Sequence, residues 1–175
     1  MRVKLPLPSC WPIVDRDPPQ VAEVLPGVSL TIGALEPLPA DLRAWGDRIV
    51  FAGHPPEEVR VRQVQDTQTE NDWPVTMFGS DVIDRGTGKV VERRLHAVYR
   101  FDKHGGAAVL RSGSVHLFES VVDEVLAVLL RGQPDFGTSE IPAIADLWTG
   151  LKLEPAGSPT SGPSPAPAAP PTSMY

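Results

Sequence analysis

The most regular stretch of the chain is residues 90–101, where Leu95, Ala97, Tyr99 and Phe101 alternate with Arg94, His96, Val98 and Arg100. A period of two marks a strand whose faces meet different surroundings. Val59 and Val61, facing Arg60 and Arg62, open a strand expected over 59–67, and Trp73, Val75 and Met77 open another over 73–82. An earlier strand is expected at 28–35, where Val28, Leu30 and Ile32 alternate with Ser29, Thr31 and Gly33, and a last one at 107–111. Turn residues gather between these runs: Asn71-Asp72, Asp84-Arg85-Gly86-Thr87-Gly88 and Asp102-Lys103-His104-Gly105-Gly106. Glycine takes positive φ without steric cost, so the last two are read as hairpin turns and the strands they join as an antiparallel meander.

Past Ser114 the period changes to that of a helix. Leu117, Phe118, Val121, Val122, Val125, Leu126 and Leu129 recur at helical spacing, with His116, Glu119, Asp123 and Glu124 largely opposite. This predicts a helix over 115–131 lying across the sheet. Ser114 suits its N-cap, and Gly132 with Pro134 its stop. A short helix is expected at 41–46 behind Pro39. Ile49, Val50 and Phe51 either extend it or form a strand. Another short helix is expected at 142–148. The fold class is α+β: an antiparallel meander flanked by a long C-terminal amphipathic helix and a short helix.

The ends differ from this middle. Residues 1–27 hold Pro6, Pro8, Pro12, Pro18, Pro19 and Pro26 and read as an extended arm. Trp11, Ile13 and Val14 are expected to pin it to the core. Residues 28–153 form the single domain. Residues 154–175 are dominated by Pro, Ala, Ser, Gly and Thr, and cannot bury enough apolar surface to offset their ordering entropy, so a disordered tail is expected. Leu7-Pro8-Ser9-Cys10 resembles a lipoprotein cleavage box, but no apolar run precedes it, so a cytoplasmic protein is expected.

Charge narrows the classes of partner. The net charge of −6 supplies no basic footprint for nucleic acid and disfavours anionic membrane surfaces. One cysteine, Cys10, excludes an internal disulfide.

Candidate chemistry is sparse. His54, His96, His104 and His116 lack metal-ligand spacing, and His96 with His116 falls short of the converging ligands that zinc needs. Gly86-Thr87-Gly88-Lys89 lies between strands, with Ile83 where a phosphate loop needs glycine. Ser112-Gly113-Ser114 is no nucleophile elbow. Asp66, Glu70, Asp72, Asp81 and Asp84 are read as a solvated acidic rim. Pro167-Ala168-Ala169-Pro170 has the Pro-x-x-Pro spacing but no flanking cation. Trp45 and Trp148 hint at binding, although capping the edges of the core accounts for them equally. No catalytic residue, cofactor or metal is expected.

The order of elements resembles the PsbP-like, DcrB-like superfamily. The resemblance is carried by Trp11-Pro12, by Thr69-Glu70-Asn71-Asp72-Trp73-Pro74-Val75-Thr76, by residues 92–101, by Gly105-Gly106 with Ala107-Ala108-Val109-Leu110, and by residues 117–130. It implies a sheet flanked by helices and a non-enzymatic role. Its bacterial branch includes chaperones that load effectors into type VI secretion systems. This chain departs from it in closing on Gln133-Pro134-Asp135-Phe136 and in its extra tail.

The expected function is a protein-binding adaptor or chaperone. Its binding face is expected on the sheet side away from the long helix, at Arg94, His96, Val98 and Arg100. One alternative is an immunity or inhibitor protein, whose acidic surface suits a basic toxin. Another is a small-molecule pocket between sheet and helix, near Trp73, His96 and Tyr99.

Overall fold

The structure, a computed structural model, describes residues 2–17 and 19–135. The helix expected at 142–148, Trp148, the Pro-x-x-Pro segment and the Pro-rich tail lie outside the described residues. In chain order the elements are β1 (Arg2–Lys4), β2 (Ile13–Asp15), β3 (Gln20–Leu25), β4 (Val28–Ile32), β5 (Glu36–Pro37), α1 (Leu42–Val50), a 3-10 turn (Pro56–Glu58), β6 (Val59–Gln68), β7 (Pro74–Ile83), β8 (Val90–Phe101), β9 (His104–Ser112), α2 (Val115–Leu129) and β10 (Gln133–Asp135).

The fold class is α+β. The main sheet is antiparallel in the order β2-β3-β4-β9-β8-β7-β6, and β5 pairs with β9 further along. β1 and β10 form a small separate ladder. The meander thus has four consecutive strands, β6 to β9, and β4 and β3 continue the sheet beyond it.

α2 crosses one face. Its stripe of Phe118, Val121, Val125, Val128 and Leu129 is buried against Leu95, Ala97, Tyr99, Phe101, Val75, Met77, Leu30 and Leu110. Burial of this kind drives folding at about 25 cal/mol per Å² of apolar surface. Ser114 caps the helix, its hydroxyl accepting from the Leu117 N–H at 3.2 Å. The Tyr99 hydroxyl donates to the Leu129 carbonyl at 2.6 Å and closes the helix's other end onto the sheet.

Three expectations change. Residues 20–25 of the supposed arm form β3, with Ala22 and Val24 in the core. Pro19 precedes this strand and Pro26 follows it, so neither interrupts it. Trp11 and Ile13 pack on the core as expected, whereas Val14 is 63% exposed.

The second hairpin turn is tighter than its glycines suggest. Phe101 pairs with His104, which leaves a two-residue loop of Asp102 and Lys103, with Asp102 at φ 59°. Gly105 and Gly106 belong to β9. A Cβ on Gly105 would lie 2.5 Å from the Trp45 ring, so this glycine admits the close approach of α1.

The helix expected at 41–46 runs from Leu42 to Val50, which resolves the ambiguity of Ile49 and Val50. Asp41 caps it, accepting from the Ala44 N–H at 3.0 Å. No helix among the described residues is long and apolar enough to cross a membrane.

Candidate protein-binding surface

Alternation along β8 sends Arg94, His96, Val98 and Arg100 to the face opposite α2. That face is not bare, because α1 lies over it. Arg94, His96 and Val98 are 3%, 1% and 4% exposed, and Arg100 is half-buried. The expected binding face is therefore largely interior. Its polar residues hold α1 down: the Arg94 guanidinium donates to the carbonyl of Val50, the last residue of α1, at 3.1 Å. A cation at a helix C-terminus is favoured by the helix dipole.

This buried seam is costly. Ser80, Arg94 and Arg111 stand opposite one another across β7, β8 and β9. Among the described residues, Ser80 Oγ, Arg94 Nε, His96 Nδ1 and Arg111 Nε are buried without hydrogen-bond partners, and the Glu92 carboxylate stands 3.8 Å from Arg94 Nε as an ion pair. Burial, then the charges of Arg94 and Arg111, push the His96 imidazole down to about 3, and a hydrogen bond with the Phe78 backbone offsets part of this. His96 is therefore neutral, and its seam packs α1 against the sheet.

Where α1 ends its cover, the sheet opens. Val98 and Arg100 reach the wall of a hollow of about 390 Å³, shared with Leu42, Trp45, Val64 and Phe78. An adjoining hollow of about 300 Å³ runs past Val50, Phe51 and Val61. Together they form a groove between α1 and strands β6 and β7. Its apolar residues meet solvent: Leu42 is 41%, Val61 39% and Val64 56% exposed. Trp45 lies at its base and is buried, which fits the core-edge alternative and not an exposed binding residue.

The opposite face holds a charged cluster that sequence reasoning placed in solvent. Asp81 lies inside β7 and is fully buried. Register sets Arg93 of β8 beside it, and the guanidinium grips both carboxylate oxygens, at 2.8 and 3.1 Å. The ladder slips between Val61 and Gln63, and Arg62 Nε donates to the same carboxylate at 3.1 Å. Gly79 leaves room for that side chain, since a Cβ there would stand 3.1 Å from the guanidinium. Arg60 adds a 3.5 Å contact, and Arg93 also donates to Glu119 of α2 at 3.0 Å. Burial raises the Asp81 pKa, but the hydrogen bond and charge of Arg93, with help from Arg62 and Arg60, outweigh it and hold the carboxyl below its usual value.

Beside this cluster, β6, β7 and α2 enclose a smaller cleft of about 210 Å³ lined by Met77, Leu95, Phe118, Val122 and Leu126. Trp73, His96 and Tyr99 do not converge on a pocket. Tyr99 faces α2 with its hydroxyl engaged, Trp73 packs edge-on against Phe101, and His96 faces α1. His116 is exposed on α2, away from His96. Among the described residues no group of His, Cys, Asp and Glu is placed to hold a metal ion.

No protein-family model matches the chain, and no curated protein matches it by sequence. Among solved structures it is similar to the solution structure of cyanobacterial PsbP (CyanoP) from Synechocystis sp. PCC 6803, with a TM-score of 0.56 and 12% identity. The similarity covers 76% of this chain and 86% of that one. The fold is PsbP-like.

Proposed function

We propose that the protein is a non-catalytic, cytoplasmic adaptor or chaperone that binds another protein along the groove between α1 and strands β6 and β7. The observation that carries this reading is the exposure of Leu42, Val61 and Val64 around that groove. Contiguous apolar surface of this kind, rimmed by polar residues, marks sites where proteins meet. Arg43, Asp47 and Asp66 supply the polar rim. Arg94 and His96 move from contact residues to supports of α1, while Val98 and Arg100 keep a place in the groove wall.

In its narrower form the reading is an adaptor chaperone of the kind that loads type VI secretion effectors, and it rests on the resemblance of the motifs quoted above. A photo-crosslinking residue placed at Val64 in native cells tests the docking site, with exposed Val14 on the far edge of the sheet as control. One specific product from position 64 and none from 14 is expected. Equal labelling from both positions, or none from 64, contradicts the site.

A further inference from the structure

We propose that β6 binds its partner by strand addition: an extended segment of another protein pairs along the outer edge of β6, with apolar side chains at alternate positions and a carboxylate facing Arg60. This rests on the adaptor reading and gives its site a mode of recognition.

The sheet ends at β6, and among the described residues no strand pairs with its outer side. A free edge presents a row of backbone donors and acceptors that templates another strand. Proteins blunt such edges by making them short. The opposite edge, β2, is three residues long and follows Pro12. β6 has ten residues, all exposed except Val59 and Thr67. The slip in register at Arg62 bends its first half, where Arg60 and Arg62 set positive charge beside the edge and admit only a partner that carries a carboxylate there. From Gln63 to Gln68 the ladder to β7 is regular, and the segment contains no Lys and no Pro.

The two faces beside the edge supply the rest. Side chains of an added strand alternate between the faces of the sheet. On the α1 side, the residue opposite Val64 lies over the groove of Leu42, Val61 and Phe78. On the α2 side, a long side chain crossing Gln63 and Gln65 reaches the cleft of Met77, Leu95, Phe118, Val122 and Leu126. That cleft, at about 210 Å³, is below the roughly 300 Å³ at which small-molecule sites begin, and suits one large apolar anchor.

Charge selects the partner's chemistry. Around Asp81 three guanidiniums, of Arg60, Arg62 and Arg93, meet two carboxylates, of Asp81 and Glu119. Arg60 is the least engaged: its contact is the longest, and its side chain is 61% exposed. In a chain of net charge −6 this is a local positive excess. Opposite charges directly across a ladder stabilise the pairing.

The test selects a library of random peptides about as long as β6 against the full chain, and follows amide exchange of β6 on adding the winners. Selected peptides are expected to alternate apolar and polar residues, to carry Asp or Glu at one end, and to protect β6 amides. Val64→Lys on the exposed edge is expected to weaken them about tenfold or more. Arg60→Gln is expected to erase the acidic preference while apolar alternation persists. Winners with helical spacing that leave β6 exchange unchanged overturn strand addition, yet keep the adaptor reading if Leu42→Glu still weakens them. Absence of winners, with dimerisation of the chain abolished by Val64→Lys, makes the occupant a second copy and overturns the proposal. Absence of both overturns the site as well as the mode.

Discussion

Arg93 and Asp81 sit opposite one another on β8 and β7, and the guanidinium spans both oxygens of a carboxylate that solvent does not reach. The same guanidinium donates to Glu119, so one side chain ties two strands to α2. Asp81→Asn is expected to lower stability by about 2–3 kcal/mol. This is less than the 3–5 kcal/mol for breaking a fully enclosed pair, because the arginines still reach water. Urea unfolding of wild type and variant measures it.

The same pair sets an acid limit. The Asp81 pKa is lowered on folding, so the folded state binds fewer protons there. The resulting stability is complete above the unfolded value of about 3.9 and is lost as pH falls through the folded one. The gap between wild type and Asp81→Asn is expected to narrow below about pH 4. A constant gap down to acid unfolding contradicts this assignment.

His96 acts earlier on the pH scale. Its folded pKa, pushed down to about 3, lies below an unfolded value of about 6.5. The unfolded chain therefore takes up the proton first, and stability declines as pH drops below about 6.5, by up to about 1.4 kcal/mol per unit. His96→Gln is expected to flatten that slope. Titration of the His96 ring in the folded protein near pH 6 contradicts it.

Two glycines, one on each side of the α1 contact, respond oppositely to alanine. Gly105→Ala drives a Cβ into Trp45 and Leu38, at 2.5 and 2.6 Å, and is expected to cost about 1–3 kcal/mol. Gly46, within α1, has nothing within 4 Å of an added Cβ. Gly46→Ala is expected to stabilise by about 1 kcal/mol through helix propensity. Thermal unfolding followed by tryptophan fluorescence compares them.

Much of this architecture was legible where one period dominated. The alternation of Leu95 to Phe101 located β8 to its ends, and the stripe from Leu117 to Leu129 located α2 with its Ser114 cap. β3 was obscured by prolines on both sides of Gln20 to Leu25. The expected surface at Arg94 and His96 failed for a different reason. Polar residues on alternate strand positions imply solvent only if nothing packs over them, and the burial of that face depends on α1 docking through Trp45 and Gly105, a contact between distant parts of the chain. Asp81 was hidden likewise: a carboxylate among others reads as a rim until register places Arg93 and Arg62 around it. The exposure of Val61 and Val64 follows from β6 being the last strand among the described residues, a fact of sheet order that periodicity does not carry.

Partner binding along the α1–β6 groove rests on its exposed apolar residues, Leu42, Val61 and Val64. Affinity capture from native cells with the full chain tests it, comparing wild type with the double variant Leu42→Glu, Val64→Glu, whose positions are 41% and 56% exposed and so leave the fold intact. One stoichiometric partner is expected on the wild type, weakened about tenfold or more by the two carboxylates. A partner held equally well by both proteins, or no specific partner on the wild type, contradicts it.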